Sequence, residues 1–102
     1  MTRPPITETE SQLRALADAG RLEILEIVAR GGAHGVRAYE VVWAMSRAFG
    51  QSTVSHHLRV LAEAGFVFRR NGPAAPGGPQ VFYVANPAMV NAVLDRVREI
   101  VR

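Results

Sequence analysis

The chain of 102 residues has room for one domain, and its 48% hydrophobic and 21% charged residues mark a globular rather than a disordered protein. With no cysteine it can form no disulfide, thiolate zinc site or thiol redox sensor, and no apolar run approaches the ~20 residues that would span a bilayer. All twelve cationic side chains are arginine, and residues 30–84 hold six of them against two glutamates, whereas residues 1–29 hold three against five acidic groups.

A basic middle on a balanced body suits a polyanion-binding face; an arginine-rich solvated surface is the plainer alternative. A core this small also makes pairing with a second copy an expectation. The opening MTRPPITETE shows neither the apolar stretch nor the cleavage site of a secretory signal, so a cytoplasmic, nucleoid-associated protein with no membrane partner is expected.

In chain order, residues 1–10 read as a flexible arm and residues 11–102 as a single domain. Ser11 is a plausible cap for a short helix with Leu13, Leu16 and Ala17 on its stripe. Asp18 caps a second helix, where Leu22, Leu25 and Val28 recur with Ile24 and Ile27 beside them until Gly31 and Gly32 end it. In a third helix, AYEVVWAMSRAFG, Ala38, Val41, Val42, Met45 and Phe49 share a face, Tyr39 and Trp43 form a neighbouring stripe, and Gly50 terminates.

The fourth, QSTVSHHLRVLAEAG, divides most clearly. At 100° per residue, Val54, His57, Leu58 and Leu61 fall inward, and Ser52, Ser55, His56 and Arg59 outward. FVFRR and QVFYVA are β-type runs separated by the turn-rich NGPAAPGGP, expected to form the long tip of a hairpin. Asn86 and Pro87 open a last helix carrying Val90, Val93, Leu94, Val97, Ile100 and Val101 at helical spacing. The fold class is mainly α with a β-hairpin wing, in the order α-α-α-α-β-β-α.

Helix three, the tight FGQS connection and the polar-faced helix four make a helix-turn-helix, and the hairpin makes it winged. Double-stranded DNA is the expected partner. Gln51 can read adenine, the hydroxyls of Ser52, Thr53 and Ser55 can approach bases or phosphates, and Arg59 can take guanine or a phosphate. His56 faces outward with them, whereas His57 reads as a packed histidine bonded within the fold. Arg69 and Arg70, at the hairpin stem, can neutralise phosphates. Ser52 has a second reading as the helix cap.

These strings carry a resemblance. LRALADAGRLEILEIVARG, QSTVSHHLRVLAEAGFVFRR and VFYVANP are similar to the ArsR-type winged-helix transcriptional regulators of bacteria over about residues 11–86. The resemblance implies a homodimeric repressor whose first and last helices pack across a two-fold axis, two recognition helices in successive major grooves of an imperfect palindrome, and wings toward the flanks. It places Gln51, Ser52, Thr53, Ser55 and His56 at DNA, and Leu13, Leu16, Val90, Val93, Leu94, Val97, Ile100 and Val101 at the seam.

The family's cysteine metal site is impossible here, and Asp95 with Glu99 on the last helix offers no nitrogen donor for zinc or nickel. No cofactor or metal is therefore expected. The one place suggested for a small organic effector is around His34, Tyr39 and Trp43, although such aromatics more commonly pack helix on helix. An enzyme is not expected, because Glu63 lies too far along the helix to orient His56 beside Ser52. A ligand-independent activator, an architectural DNA binder and a protein-interaction module remain alternatives on the same fold.

Overall fold

The computed structural model describes residues 4–102. Its elements are α1 (Ile6–Leu16), α2 (Ala19–Arg30), β1 (Val36–Arg37), α3 (Ala38–Ala44), α4 (Gln51–Glu63), β2 (Val67–Ala75), β3 (Gly78–Ala85) and α5 (Pro87–Ile100), with a 3-10 turn at Gly32–His34. The architecture is a winged helix-turn-helix. The sheet is antiparallel in the order β1-β3-β2, and β1, too short for alternation to show in sequence, is the strand not anticipated.

Helix α1 begins five residues before Ser11. The Pro5 carbonyl accepts from the amides of Glu8 and Thr9 at 3.0 and 3.2 Å, and Glu8 sits in the first turn, where the helix dipole favours a negative charge. Residues 6–10 of the expected arm are thus helix; residues 1–3 of it lie outside the described residues.

Asp18 caps α2 as read from the sequence, accepting from the Arg21 amide at 3.0 Å. The buried stripe of α2 is rotated from the expected one, however. Gly20, Ile24 and Val28 are buried, while Leu22 stands 49% exposed.

Helix α3 ends at Ala44, not Phe49. From there its bonds tighten, Ser46 N to Trp43 O at 3.2 Å and Ala48 N to Met45 O at 3.0 Å, and the chain turns. That turn delivers the Phe49 ring edge-on to His57, 5.5 Å between centroids, over Gly20, where a Cβ would come within 2.8 Å of the ring. Val41 and Met45 are buried as expected, and meet Val54, Leu58 and Leu61 of α4, Phe66, Val67 and Val93 in one core.

The hairpin departs from the sequence reading too. Strand β2 continues through Gly72 and Pro73 to Ala75, because the register slips between Asn71 and Ala74 and this bulge accommodates the proline. The tip shrinks to the turn at Pro76 and Gly77. Asn86 heads α5 with Pro87 behind it, but its side chain donates to Gly65 O at 2.9 Å while its amide donates to Phe66 O at 2.8 Å. It fastens the end of the sheet to the turn after α4 instead of capping. Among the described residues no helix is long and apolar enough to cross a membrane.

Two outcomes are expected. Gly35 has φ 80° and ψ −176°, a region reserved for glycine, and a Cβ there would lie 2.6 Å from the Tyr83 carbonyl oxygen. Gly35→Ala should cost about 1–3 kcal/mol, read from urea unfolding. The backbone N–H of Arg21 holds the Asp18 carboxyl below its ordinary pKa. Its stabilisation is therefore complete above the unfolded-state value and lost as pH falls through the lower folded-state value. The difference in urea midpoint between wild type and Asp18→Ala should be present at pH 7 and shrink in acid.

Candidate nucleic-acid interface

Gly50 precedes α4 in extended conformation with no side-chain cap, so Gln51, Ser52 and Thr53 form the first turn, all exposed. Ser52 is not the cap. Its hydroxyl is left for an outside partner.

The two faces anticipated for α4 are present. Val54 and Leu61 are fully buried, Leu58 nearly so, and His57 retains 8% exposure. Arg21 Nη1 lies 3.3 Å from His57 Nδ1, and because arginine can only donate, a hydrogen bond here has that nitrogen as its acceptor. On the other face, Gln51, Ser52, Ser55, His56 and Arg59 line one shallow concavity open to solvent. Arg59 Nη2 lies 3.2 Å from His56 Nδ1, so these two side chains are presented together. The histidine rings, neighbours in sequence at 5.9 Å between centroids, serve different faces.

The chemistry of this concavity is hydrogen bonding, with one guanidinium at its far end. Thr53 is exposed beside it. Such a set of short hydroxyls, an amide, an imidazole and an arginine matches the donors and acceptors on base edges and phosphates. One cation omitted from the sequence reading, Arg47, is exposed in the turn leading into α4. A basic residue in the connection just before a reading helix was the available signal.

The wing arginines separate. Arg69 is in register with Tyr83 and two residues from the buried Val67, so it projects on the same sheet face as Val67, the face that packs on the core. Arg70 projects on the opposite face, its Nη2 donating to His34 O at 2.9 Å and its Cζ 4.8 Å from the centre of the Phe82 ring.

The residues expected at a seam also divide. Val93 is fully buried within the protomer and so has no surface to offer a partner, which corrects that assignment; Leu16 and Val90 pack partly against the same core. Leu13, Leu94, Ile100 and Val101 are exposed, at 37, 40, 59 and 81%, and Ile6 adds 73%. Val97 is half-buried. Helices α1 and α5 pack side by side, with Gln12 accepting from Arg96 Nη1 at 3.0 Å, so these apolar groups belong to adjoining helices.

His34, Tyr39 and Trp43 do not converge. Trp43 is 80% exposed, Tyr39 63%, and the Tyr39 hydroxyl accepts from Arg37 in a groove shared with wing-tip residues Pro76, Gly77 and Gly78. With all three side chains exposed, they enclose no pocket for an organic molecule within the protomer. Asp95 is paired with Arg98 at 2.9 Å.

Residues 49–68, the turn, α4 and the start of β2, match the family described as "Bacterial regulatory protein, arsR family". No curated protein matches the chain. Among solved structures, it is similar to an ArsR-like transcriptional regulator from Rhodococcus sp. RHA1, with a TM-score of 0.63 and 21% identity over 93% of this chain and 80% of that one. It is similar also to the homodimeric winged helix-turn-helix DNA-binding domain of Mb0332 from Mycobacterium bovis, with a TM-score of 0.65 and 20% identity over 99% of this chain and 89% of that one.

Arg59→Ala is expected to lower the discrimination between a specific site and random duplex by about 1–3 kcal/mol while leaving the fold and oligomeric state intact. Fluorescence anisotropy with both duplexes measures it.

Proposed function

We propose that the chain is an ArsR-type winged-helix DNA-binding regulator of transcription and acts as a homodimeric repressor, each protomer laying α4 into the major groove of one half of an imperfect palindrome. The observation that carries this reading is the single exposed concavity of Gln51, Ser52, Ser55, His56 and Arg59, backed by a buried row that holds the helix on the domain. Thr53 in the first turn of α4, Arg47 in the turn before it and Arg69 at the wing stem supply further contacts. Phosphate contacts position the helix, and base-edge contacts select the sequence.

Dimerisation rests on the exposed apolar groups of α1 and α5. A palindrome read by two identical helices needs a two-fold axis, and a self-complementary apolar face supplies one. The homodimeric state described for the Mb0332 domain is in accord with it. The absence of cysteine removes the thiolate route to metal-controlled release, and the exposure of His34, Tyr39 and Trp43 gives no support to an organic effector there.

Two measurements test the proposal. Leu94→Glu combined with Ile100→Glu, both at exposed positions, should give a folded monomer by light scattering that no longer binds the full palindrome tightly; a dimer that binds as before would place the seam elsewhere. Transcription from the bound promoter should rise when the gene is deleted. A fall would identify an activator.

A further inference from the structure

The wing carries its charge at its base. Residues 71–81, the whole outer hairpin, contain no charged side chain, so no Coulombic contact with a polyanion can come from the tip. The cations lie at the base of the sheet, and one row is assembled across all three strands. Arg37 of β1 and Arg70 of β2 are both in register with Phe82 of the central β3.

In-register residues project on the same face. The Phe82 ring therefore stands between two guanidiniums, with Arg37 Cζ at 5.6 Å and Arg70 Cζ at 4.8 Å from its centre. The ring is itself held from the hairpin side, because Gly72 lies so close that a Cβ would come within 2.5 Å of it.

Each guanidinium is positioned by neutral groups more than neutralised. Arg70 is bonded to the His34 carbonyl, and among the described residues it has no carboxylate at ion-pair distance. Arg37 donates to Gln80 Oε1 at 3.2 Å and to the Tyr39 hydroxyl at 3.2 Å, and its carboxylate neighbour, Glu40, is at 3.6 Å and well exposed. A guanidinium has five N–H donors, so both retain donors for a further acceptor. Two arginines fixed on one ring, on an exposed sheet face, hold positive charge without losing side-chain entropy on binding.

We propose that this outer sheet face, with Arg37 and Arg70 on Phe82, is the wing's phosphate-binding surface and engages the DNA backbone beside the half-site read by α4. The occupant is duplex DNA, because the row offers positive charge and donors with no base-reading acceptor set, and phosphodiester oxygens are the complementary chemistry. This rests on the DNA-binding reading above. It adds Arg37, a residue outside the helix-turn-helix face, and makes Phe82 a positioning residue rather than a contact.

The test is the salt dependence of binding to cognate and random duplexes for wild type, Arg37→Gln, Arg70→Gln, the double variant and Arg37→Lys. Each lost phosphate contact should reduce the slope of log K against log[salt] by about 0.9, alike on both duplexes, and the double variant by about twice that. Arg37→Lys should keep the wild-type slope. A double variant that is folded and dimeric but has an unchanged slope overturns the proposal, as does Arg37→Lys behaving like Arg37→Gln, which would make Arg37 purely structural. Failure of the wild type to bind any duplex would instead overturn the functional reading itself.

Discussion

One guanidinium joins three helices. Arg21, in the first turn of α2, donates through Nε to Ala15 O at 2.6 Å and through Nη2 to Arg14 O at 3.2 Å, both carbonyls of the last turn of α1, where helical donors run out. Its Nη1 reaches His57 on the buried face of α4. Its own amide is taken by Asp18. This one side chain therefore ties the end of α1, which carries part of the exposed apolar face, to α4, which carries the polar face. Phe49 closes the junction from the other side, its ring lodged between Gly20 and His57.

That junction gives meaning to the adjacent histidines. A helix turns 100° per residue, so two neighbours cannot both face the same partner. His57 is spent on Arg21 and Phe49, inside the protomer; His56 is presented outward with Arg59. The polar side chains of α4 can stay exposed because the row behind them is buried, and the purchase of that row on α2 allows a polar helix to stay in place without its outward face contributing to stability.

Much of this was legible in the sequence wherever a strong period met a single possible role. The division of α4 is the clearest case, since Val54, Leu58 and Leu61 lie on one narrow stripe with only polar residues opposite. Asp18 was legible as a cap because an aspartate directly before an apolar run has few other uses. Legibility failed where two roles share one residue type. On α2, Leu22 and Ile24 are equally apolar, and periodicity cannot say which ridge meets the core; on α5, Val93 belongs to the core and Leu94 to the surface for the same reason. Pro73 signals a loop in isolation, yet a bulge lets the strand continue past it. The end of α3 was obscured because Phe49 fits the helical stripe as well as it fits the turn that carries it.

The wing and the reading helix hang from opposite ends of the same element. The N-terminal turn of α2 holds α4 through Arg21. Its C-terminal end runs through Gly31 and Gly35 into β1, where a Cβ on Gly31 would come within 2.6 Å of the Gly35 carbonyl oxygen and one on Gly35 equally near the Tyr83 carbonyl oxygen. Close backbone approach of this kind leaves no slack, and Arg70 adds a bond from β2 to the same loop at His34. A rigid rod of twelve residues, about 18 Å long at 1.5 Å per residue, thus fixes the separation of helix and wing. Two surfaces set at a fixed separation can meet two features of one duplex together, so the first contact restricts the search for the second. If the proposed reading holds, a signal that releases the protein from DNA would act on this frame, by changing the tilt of α2 or the contacts of Arg21 with α1 and α4.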